Sequence, residues 1–425
     1  MSDRAVVVGF GIGGIAAAAA LRRAGREVLV VERDVLPSGP AARPGVPQGN
    51  QLHNLLTRAQ MHLERLLPGF GARLREAGAG DASVAVDTEV LELGVRMPRR
   101  DLGMRLLSAP RPLIEHVARD VLSDVGGVEV RTGARVGSLL LDAHGGVAGV
   151  DVDMGSTRTS VGATLVVDAT GARAEGIRWL RACGLPVPSV DAVRVSRWYS
   201  SATFERTAGE GARDRFWMIF PKPPGTRGGI VAPVGPDRWY VSLSGCAADA
   251  PPRDAAEMCA YARTLDAPWI AQLLAGARAL EGPTLFRRPL ANWRRYDLLE
   301  RPLPGLLPLG DSFATLDPLF GQGISVAAWQ ASALGDALTG EATSASVLTK
   351  AYLSGAASAC AAAWELSRFA NAQSADKRSR AIAALLRSDA ELHRRYVQMW
   401  HLVEPVGSFE STIDALFPSA AHGAS

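Results

Sequence analysis

The sequence predicts an α/β protein: a Rossmann-like nucleotide-binding domain with a β-meander, a second α+β lobe on an antiparallel sheet, and a helical C-terminal segment. Three observations lead there. A buried strand at Ala5–Val8, a glycine loop with an Ala-rich helix at Ile12–Ala24, and a strand at Glu27–Val31 make a βαβ opening, which favours a parallel sheet. Short apolar runs broken by turns such as Gly145-Gly146 predict a meander from Val136 to Val161, after which Leu165–Asp168 returns to a buried strand. Aromatic-rich runs at Val193–Phe204, Phe216–Phe220, Gly229–Val234 and Arg238–Ser244 predict the antiparallel sheet.

Between these landmarks, Pro37–Gln51 is rich in Pro and Gly and reads as a loop, and His53–Leu67 regains helical spacing. Arg111–Leu122 predicts a helix, Val128–Arg131 a strand, and residues 254–275 further helices. Leu306–Leu309 is a short apolar strand, Gln322–Leu338 a helix opened by glycines, and the chain from about 344 is mostly helical. The expected division is a nucleotide-binding part over 1–185, with room for a short second-lobe segment near 80–105. A substrate lobe follows over 186–290, then the second nucleotide-binding part over 291–343 and the helical segment over 344–425.

Hydrophobic residues make up 47% and charged residues 21%, an ordinary globular balance. The net charge of +3 arises from 46 basic and 43 acidic side chains spread along the chain, which argues against a nucleic-acid partner. Cys183, Cys246, Cys259 and Cys360 form no CxxC pair, so neither a disulfide framework nor a metal site is expected, and a reducing cytoplasm fits. The first strand begins at Ala5, leaving no room for a signal peptide, and no apolar run approaches a membrane span.

Gly9-Phe10-Gly11-Ile12-Gly13-Gly14 fits GxGxxG between a strand and a helix. The first glycine permits a tight turn, the second lets the backbone approach a pyrophosphate, and the third brings the helix close to the strand. Glu32, followed by Arg33, ends the second strand where an acid binds a ribose hydroxyl. A second constellation narrows the dinucleotide. Leu306–Leu309 leads into Gly310-Asp311, and Pro318-Leu319-Phe320-Gly321-Gln322-Gly323-Ile324 opens a helix. The acid suits a polyol chain, and the helix start offers N–H groups to a flat, anion-forming ring. FAD, extended between both elements, needs the pair; NAD does not.

On Gly9–Gly14, Glu32 and Gly310-Asp311…Pro318-x-x-Gly321-x-Gly323, the sequence resembles the single-component (group A) flavoprotein monooxygenases. Within them it is most similar to the squalene-epoxidase-like bacterial enzymes that epoxidise polyene and polyether precursors. That finer likeness rests on Arg43-Pro44-Gly45-Val46-Pro47-Gln48 with His53, Arg111-Pro112-Leu113, Trp293–Asp297, Ala363-Trp364 and Trp400-His401-Leu402. The resemblance implies that Arg43 and Arg111 contact the FAD pyrophosphate or ribityl region and that Asp311 binds the ribityl chain. Pro318, Gly321 and Gly323 would border the isoalloxazine, with His53 near the flavin. One stretch departs from the pattern: where the family writes DGxxSxxR, this chain has Asp168-Ala169-Thr170-Gly171-Ala172-Arg173-Ala174-Glu175. That weakens the implied reduction by NAD(P)H and leaves room for a separate flavin reductase.

Blander readings stand beside these. His53 is equally a structural histidine, Asp317 equally the cap of a turn, and Arg43 and Arg111, without the resemblance, are ordinary surface arginines. Trp198, Tyr199, Phe216, Trp217, Met218, Trp239 and Tyr240 are candidates for a substrate pocket, yet sheet core needs aromatics too. Trp217 and Met218 before Phe220-Pro221 echo the WxWxIP motif of flavin halogenases, but the tryptophans do not align and no lysine precedes Lys222. The expected function is an FAD-dependent oxidoreductase: a monooxygenase of natural-product biosynthesis acting on an apolar small molecule with molecular oxygen. The resemblance implies reduction by NAD(P)H and a flavin C4a-hydroperoxide that epoxidises or hydroxylates the substrate. The alternative is a non-redox cyclase, such as a [4+2] cyclase, with FAD as scaffold.

Overall fold

A computed structural model of the chain describes residues 4–92, 94–206, 216–222, 225–340, 344–372 and 377–416. Its centre is a five-stranded parallel sheet in the order Leu306–Pro308, Leu165–Asp168, Arg4–Val8, Glu27–Glu32, Val128–Thr132. The chain leaves Arg4–Val8 towards Glu27–Glu32 on one side, while Leu165–Asp168 joins on the other. A crevice therefore opens beyond the carboxyl ends of these two strands, the usual ligand position in such sheets. The helix Ile12–Arg23 is alanine-rich because it is buried between the sheet and the helix Gly323–Thr339, where small side chains allow close approach.

The meander forms as three antiparallel strands, Ala134–Leu141, Val147–Met154 and Thr157–Gly162. The second lobe is an eight-stranded sheet in the order Ala314–Thr315, Ala279–Arg294, Val190–Glu205, Arg238–Cys246, Gly228–Val234, Phe216–Ile219, Thr88–Glu92, Val95–Arg96. Helices Ala255–Ala262 and Trp269–Gly276 cover one of its faces around Trp198, Trp239, Val241 and Ile270. The boundary expected at 290 falls inside the strand Ala279–Arg294, which continues until Arg294 Nη1 donates to the Asp311 carbonyl at 3.0 Å. The boundary at 343 lies outside the described residues.

One predicted helix is shorter than expected. Leu52–Leu55 is a strand paired with Arg105–Pro110, with His53 opposite Ala109, and the helix begins at Thr57. Ladder pairing with a distant strand overrides the local helical spacing there. The C-terminal helices Ala345–Ala372, Lys377–Ser388, Ala390–Trp400 and Val406–Leu416 build a further core that also takes in Val90, Val95 and Met97 of the second sheet. Among the described residues no helix is long and apolar enough to cross a membrane, and no His/Cys/Asp/Glu cluster can hold a metal ion.

Candidate active site

A cavity of about 710 Å³ begins in the crevice at Gly9 and runs to the C-terminal helices. At its mouth the glycines do different work. Gly9 has φ +98°, and a Cβ there would stand 2.5 Å from the Ala169 carbonyl oxygen. One on Gly14 would stand 2.0 Å from the Gly9 carbonyl oxygen, so both positions are closed by backbone. A Cβ on Gly13 would press on Leu309 at 2.9 Å. Gly11 is the open one: its nearest neighbours, at 3.4 to 3.8 Å, are the head groups of Glu115, Arg111 and Arg43.

Those head groups form a buried charge cluster. Glu32 accepts from the Phe10 N–H at 2.7 Å and the Asp34 N–H at 2.9 Å, and pairs with Arg43 Nη1 at 2.9 Å. Arg43 also meets Asp34 at 3.2 Å and Glu115 at 3.3 Å, and Arg111 Nε holds the other Glu115 oxygen at 2.8 Å. Burial opposes the Arg43 charge, yet Glu115, Glu32 and Asp34 outweigh it and raise its pKa. Burial likewise opposes the Glu115 charge, and Arg111 and Arg43 outweigh it and hold that carboxyl below its ordinary range. Arg33 stands on the same wall. Two guanidinium groups beside a bare glycine backbone and an acid at the end of the second strand suit a pyrophosphate and its ribose.

The second constellation faces the same cavity from the far side of the crevice. Gly310, at φ +64°, donates its N–H to Gln330 Oε1 at 2.7 Å, and Asp311 faces Arg288 Nη2 at 3.4 Å. Pro318–Phe320 is one tight turn, and Gly321 follows at φ +65°. Gln322 precedes the helix Gly323–Thr339 and donates Nε2 to the Trp400 carbonyl at 3.1 Å. Gly321 and Gly323 have open space where a Cβ would stand, and with Pro318, Gln322 and Ile324 they line the cavity. The cradle at both ends is free of side chains where an extended FAD requires backbone approach, so the residues present fit that cofactor.

Asp317 is 2% exposed and serves two neighbours. It caps the turn through the Leu319 N–H at 3.0 Å and faces Arg197 Nε at 3.2 Å through both oxygens. His53 Nδ1–H donates to the Gln51 carbonyl, 2.9 Å away, and burial first, then the Arg111 charge, pushes its pKa down to about 3. It lines the cavity as a neutral ring. In the departing middle stretch, Asp168 accepts from the Thr170 N–H and O–H, the Gly176 N–H and the Ser312 O–H, at 2.6 to 3.1 Å. Thr170 Oγ1 in turn accepts from the Glu175 N–H at 3.0 Å. Thr170 therefore closes a knot at the carboxyl end of Leu165–Asp168, which Ser312 ties to the chain that follows the edge strand Leu306–Pro308.

Of the seven pocket candidates, Tyr199 and Met218 line the cavity. Trp198 and Trp239 point to the opposite face of the sheet, into the core under the two covering helices. Phe216 is on the cavity side with Met218, but the small sheet Leu52–Leu55, Arg105–Pro110, Gly80–Ser83 covers it; a Cβ on Gly80 would lie 3.1 Å from its ring. The rest of the wall comes from Phe220, Ile230 and Phe286 on the sheet side, and from Trp400 and His401 at the end of the helix Ala390–Trp400. Trp400 lies between Phe220 and Phe320, 5.1 Å from each ring centre. His401 Nδ1 accepts from the Thr57 N–H at 3.2 Å and meets Thr57 Oγ1 at 2.8 Å, and burial lowers its pKa to about 4. Alternation in the strands is the sequence signal for this face; which face is covered by helices is not local information.

The family model described as FAD dependent oxidoreductase matches residues 5–174. Protein Rv3254 of Mycobacterium tuberculosis is 30% identical over 354 residues, covering 79% of this chain and 73% of that protein. Among solved structures, the flavin-dependent brominase Bmp2 superposes with a TM-score of 0.71 at 15% identity over 97% of this chain and 98% of its own. The tetrameric form of 2-methyl-3-hydroxypyridine-5-carboxylic acid oxygenase gives 0.62 at 17% identity over 91% and 93%. At these identities the structural likenesses are likenesses of fold.

Proposed function

Because the chain belongs to the FAD-dependent oxidoreductase family, we propose that it is a monooxygenase that inserts one atom of molecular oxygen into a bulky, largely apolar metabolite. The observation that carries this reading is the continuity of one cavity, from the charge cluster at Arg43 past Asp311 and Gly323 to a wall of Met218, Phe220, Ile230 and Trp400. Bound FAD supplies the redox chemistry that activates oxygen. Arg43 and Arg111 would hold the pyrophosphate and Glu32 the adenosine ribose. Asp311 would hold the ribityl chain, and the N–H groups at the start of Gly323–Thr339 would stabilise negative charge on the reduced flavin. Phe220, Trp400 and Phe320 would exclude water from the reacting end of the cavity.

The neutral state of His53 and His401, and the pairing of Asp317 with Arg197, leave no free acid–base pair beside the ring among the described residues. Oxygen transfer to an alkene requires none. Among the described residues no lysine is on the cavity wall, which sets the site apart from the lysine-dependent halogenation chemistry that the Phe220-Pro221 stretch suggests. The finer reading is epoxidation or hydroxylation of a natural-product precursor, with NAD(P)H or a separate flavin reductase as electron source.

The test incubates FAD-loaded enzyme with NADPH and a panel of polyenes and polyenols under isotopically labelled oxygen. Labelled product that requires both oxygen and reductant supports the monooxygenase. Product of unchanged mass, formed without either, overturns it in favour of a non-redox cyclase.

A further inference from the structure

The helix Ala390–Trp400 lays a stripe of side chains along the cavity: His393, Tyr396, Val397 and Trp400. Trp400 belongs to the aromatic seal beside Phe320. From there to His393 is seven residues, about 10 Å along a helix axis. The wall over that span is apolar, with Val84, Val90, Met97, Leu106 and Met218. At its far end stand polar groups that the proposed chemistry does not use.

Glu92 ends the strand Thr88–Glu92 and is 8% exposed. One carboxyl oxygen accepts a short hydrogen bond from the Tyr396 hydroxyl. Its other oxygen takes no hydrogen bond from a described residue, although the side chain lines the cavity. His393, one turn before Tyr396 on the same helix face, is 2% exposed, and its Nδ1 has no partner among the described residues. Glu92, with an open acceptor oxygen, and His393, with an orphaned imidazole nitrogen, thus both line one largely apolar chamber. Buried polar groups normally find partners, and leaving one unmade costs more than a made bond gains.

We propose that Glu92 and His393 form a subsite for a hydroxyl group at the end of the substrate opposite the oxidised carbon, so that the substrate is a long apolar alcohol or phenol. The proposal rests on the monooxygenase reading for its meaning but not for its test. A hydroxyl is the fitting head group because it donates to the open Glu92 oxygen and completes the hydrogen bonding of the His393 ring with the same atom. An ammonium offers donors only, and the Arg100 charge that bears on His393 disfavours a cation there. Burial raises the Glu92 pKa to about 7, so the carboxyl accepts as an anion above neutrality, and burial keeps His393 neutral with a pKa near 4. The blander role for Glu92 is a clamp that fastens Tyr396 to the second sheet.

The experiment measures binding, not turnover, so it stands whether or not the protein proves to be a monooxygenase. FAD-loaded protein is titrated by calorimetry at pH 8 with 1-octanol, methyl octyl ether and octylamine, chains about as long as the stripe. We expect octanol to bind at least about tenfold more tightly than the ether, which accepts but cannot donate, and more tightly than the amine. Glu92→Gln keeps the acceptor for Tyr396 but turns an amide N–H towards the chamber, so the preference for octanol over the ether should disappear while the melting temperature holds. His393→Met should reduce the same preference several-fold without touching the clamp. Equal binding of octanol and ether by the wild-type protein, or an unchanged preference in both variants, overturns the proposal and leaves the clamp. Tightest binding of octylamine overturns the hydroxyl in favour of a cationic head group.

Discussion

Arg43 and Glu115, 72 residues apart in the chain, form a buried ion pair with Nη2 and Oε2 at 3.3 Å. With Arg111 on its other oxygen, Glu115 is the counter-charge that lets two arginines face the bare backbone at Gly11. Removing one partner of a buried pair costs about 3–5 kcal/mol because the remaining charge is left uncompensated. Arg43 keeps Glu32 and Asp34, so Glu115→Gln deprives chiefly Arg111 of its counter-charge and should destabilise the cofactor-free protein by less than that, about 1.5–3 kcal/mol. The phosphates of FAD would replace the lost negative charge, so the variant should gain more from FAD than the wild type does. Urea denaturation with and without FAD checks both; equal gains would remove the phosphates from this cluster.

The glycines separate folding from cofactor capture. Gly14→Ala forces a Cβ to 2.0 Å from backbone that cannot yield, and overpacking of that kind costs about 1–3 kcal/mol or more. Gly11→Ala meets nothing closer than 3.4 Å and should leave stability within about 0.5 kcal/mol of wild type. Its methyl group intrudes on the cradle, so it should still release FAD at least tenfold more readily. Thermal melts of the cofactor-free variants and fluorescence titration with FAD distinguish the two effects.

Acid should weaken the protein through its buried histidines. The folded His401 has a pKa near 4, below the ordinary 6.5 of the unfolded chain. Its contribution is thus fully present above about pH 6.5 and is lost as the pH falls towards 4, since only the unfolded chain takes up the proton. Between pH 7 and pH 5 the wild type should lose about 2 kcal/mol more than His401→Gln, whose amide oxygen still accepts from Thr57. Parallel urea curves at the two pH values measure the difference; identical slopes would mean that His401 is already charged in the folded state.

Core and wall aromatics should respond differently. Trp198→Ala should cost about 3–5 kcal/mol with little change in ligand preference, because its ring is packed under the covering helices. Met218→Ala enlarges the cavity it lines and should shift the preferred ligand towards bulkier molecules at a smaller cost in stability. Chemical denaturation and competitive binding of a size series check the pair.

How much was legible follows from distance along the chain. The strand, glycine loop, helix and acid from Arg4 to Glu32 lie within one short unit whose signals are all local, and the meander is equally self-contained. The sequence alone does not divide pocket wall from sheet core among these aromatics, because both faces of the second sheet are buried, one under helices and one against the cavity. Trp198 and Tyr199 are neighbours in sequence and point opposite ways. His53 reads as the start of a helix because its strand partner, Ala109, is supplied from elsewhere. Glu92 and Tyr396 carry no signal in the sequence for the same reason, since a pair joined across 304 residues leaves no spacing to read.

The position of Leu306–Pro308 beside Leu165–Asp168 also sets the order in which the molecule can be made. On the ribosome the Leu165–Asp168 edge emerges long before the strand that will cover it, and an unpaired apolar edge is where nascent chains stick to one another. The Gly323–Thr339 and Ala390–Trp400 helices follow later still, so the cofactor cradle and its seal are complete only once these have been made. Full capture of FAD must wait for them, and a chain stalled before Leu306 would carry the glycine loop yet present a sticky, uncapped sheet to the cell's quality control.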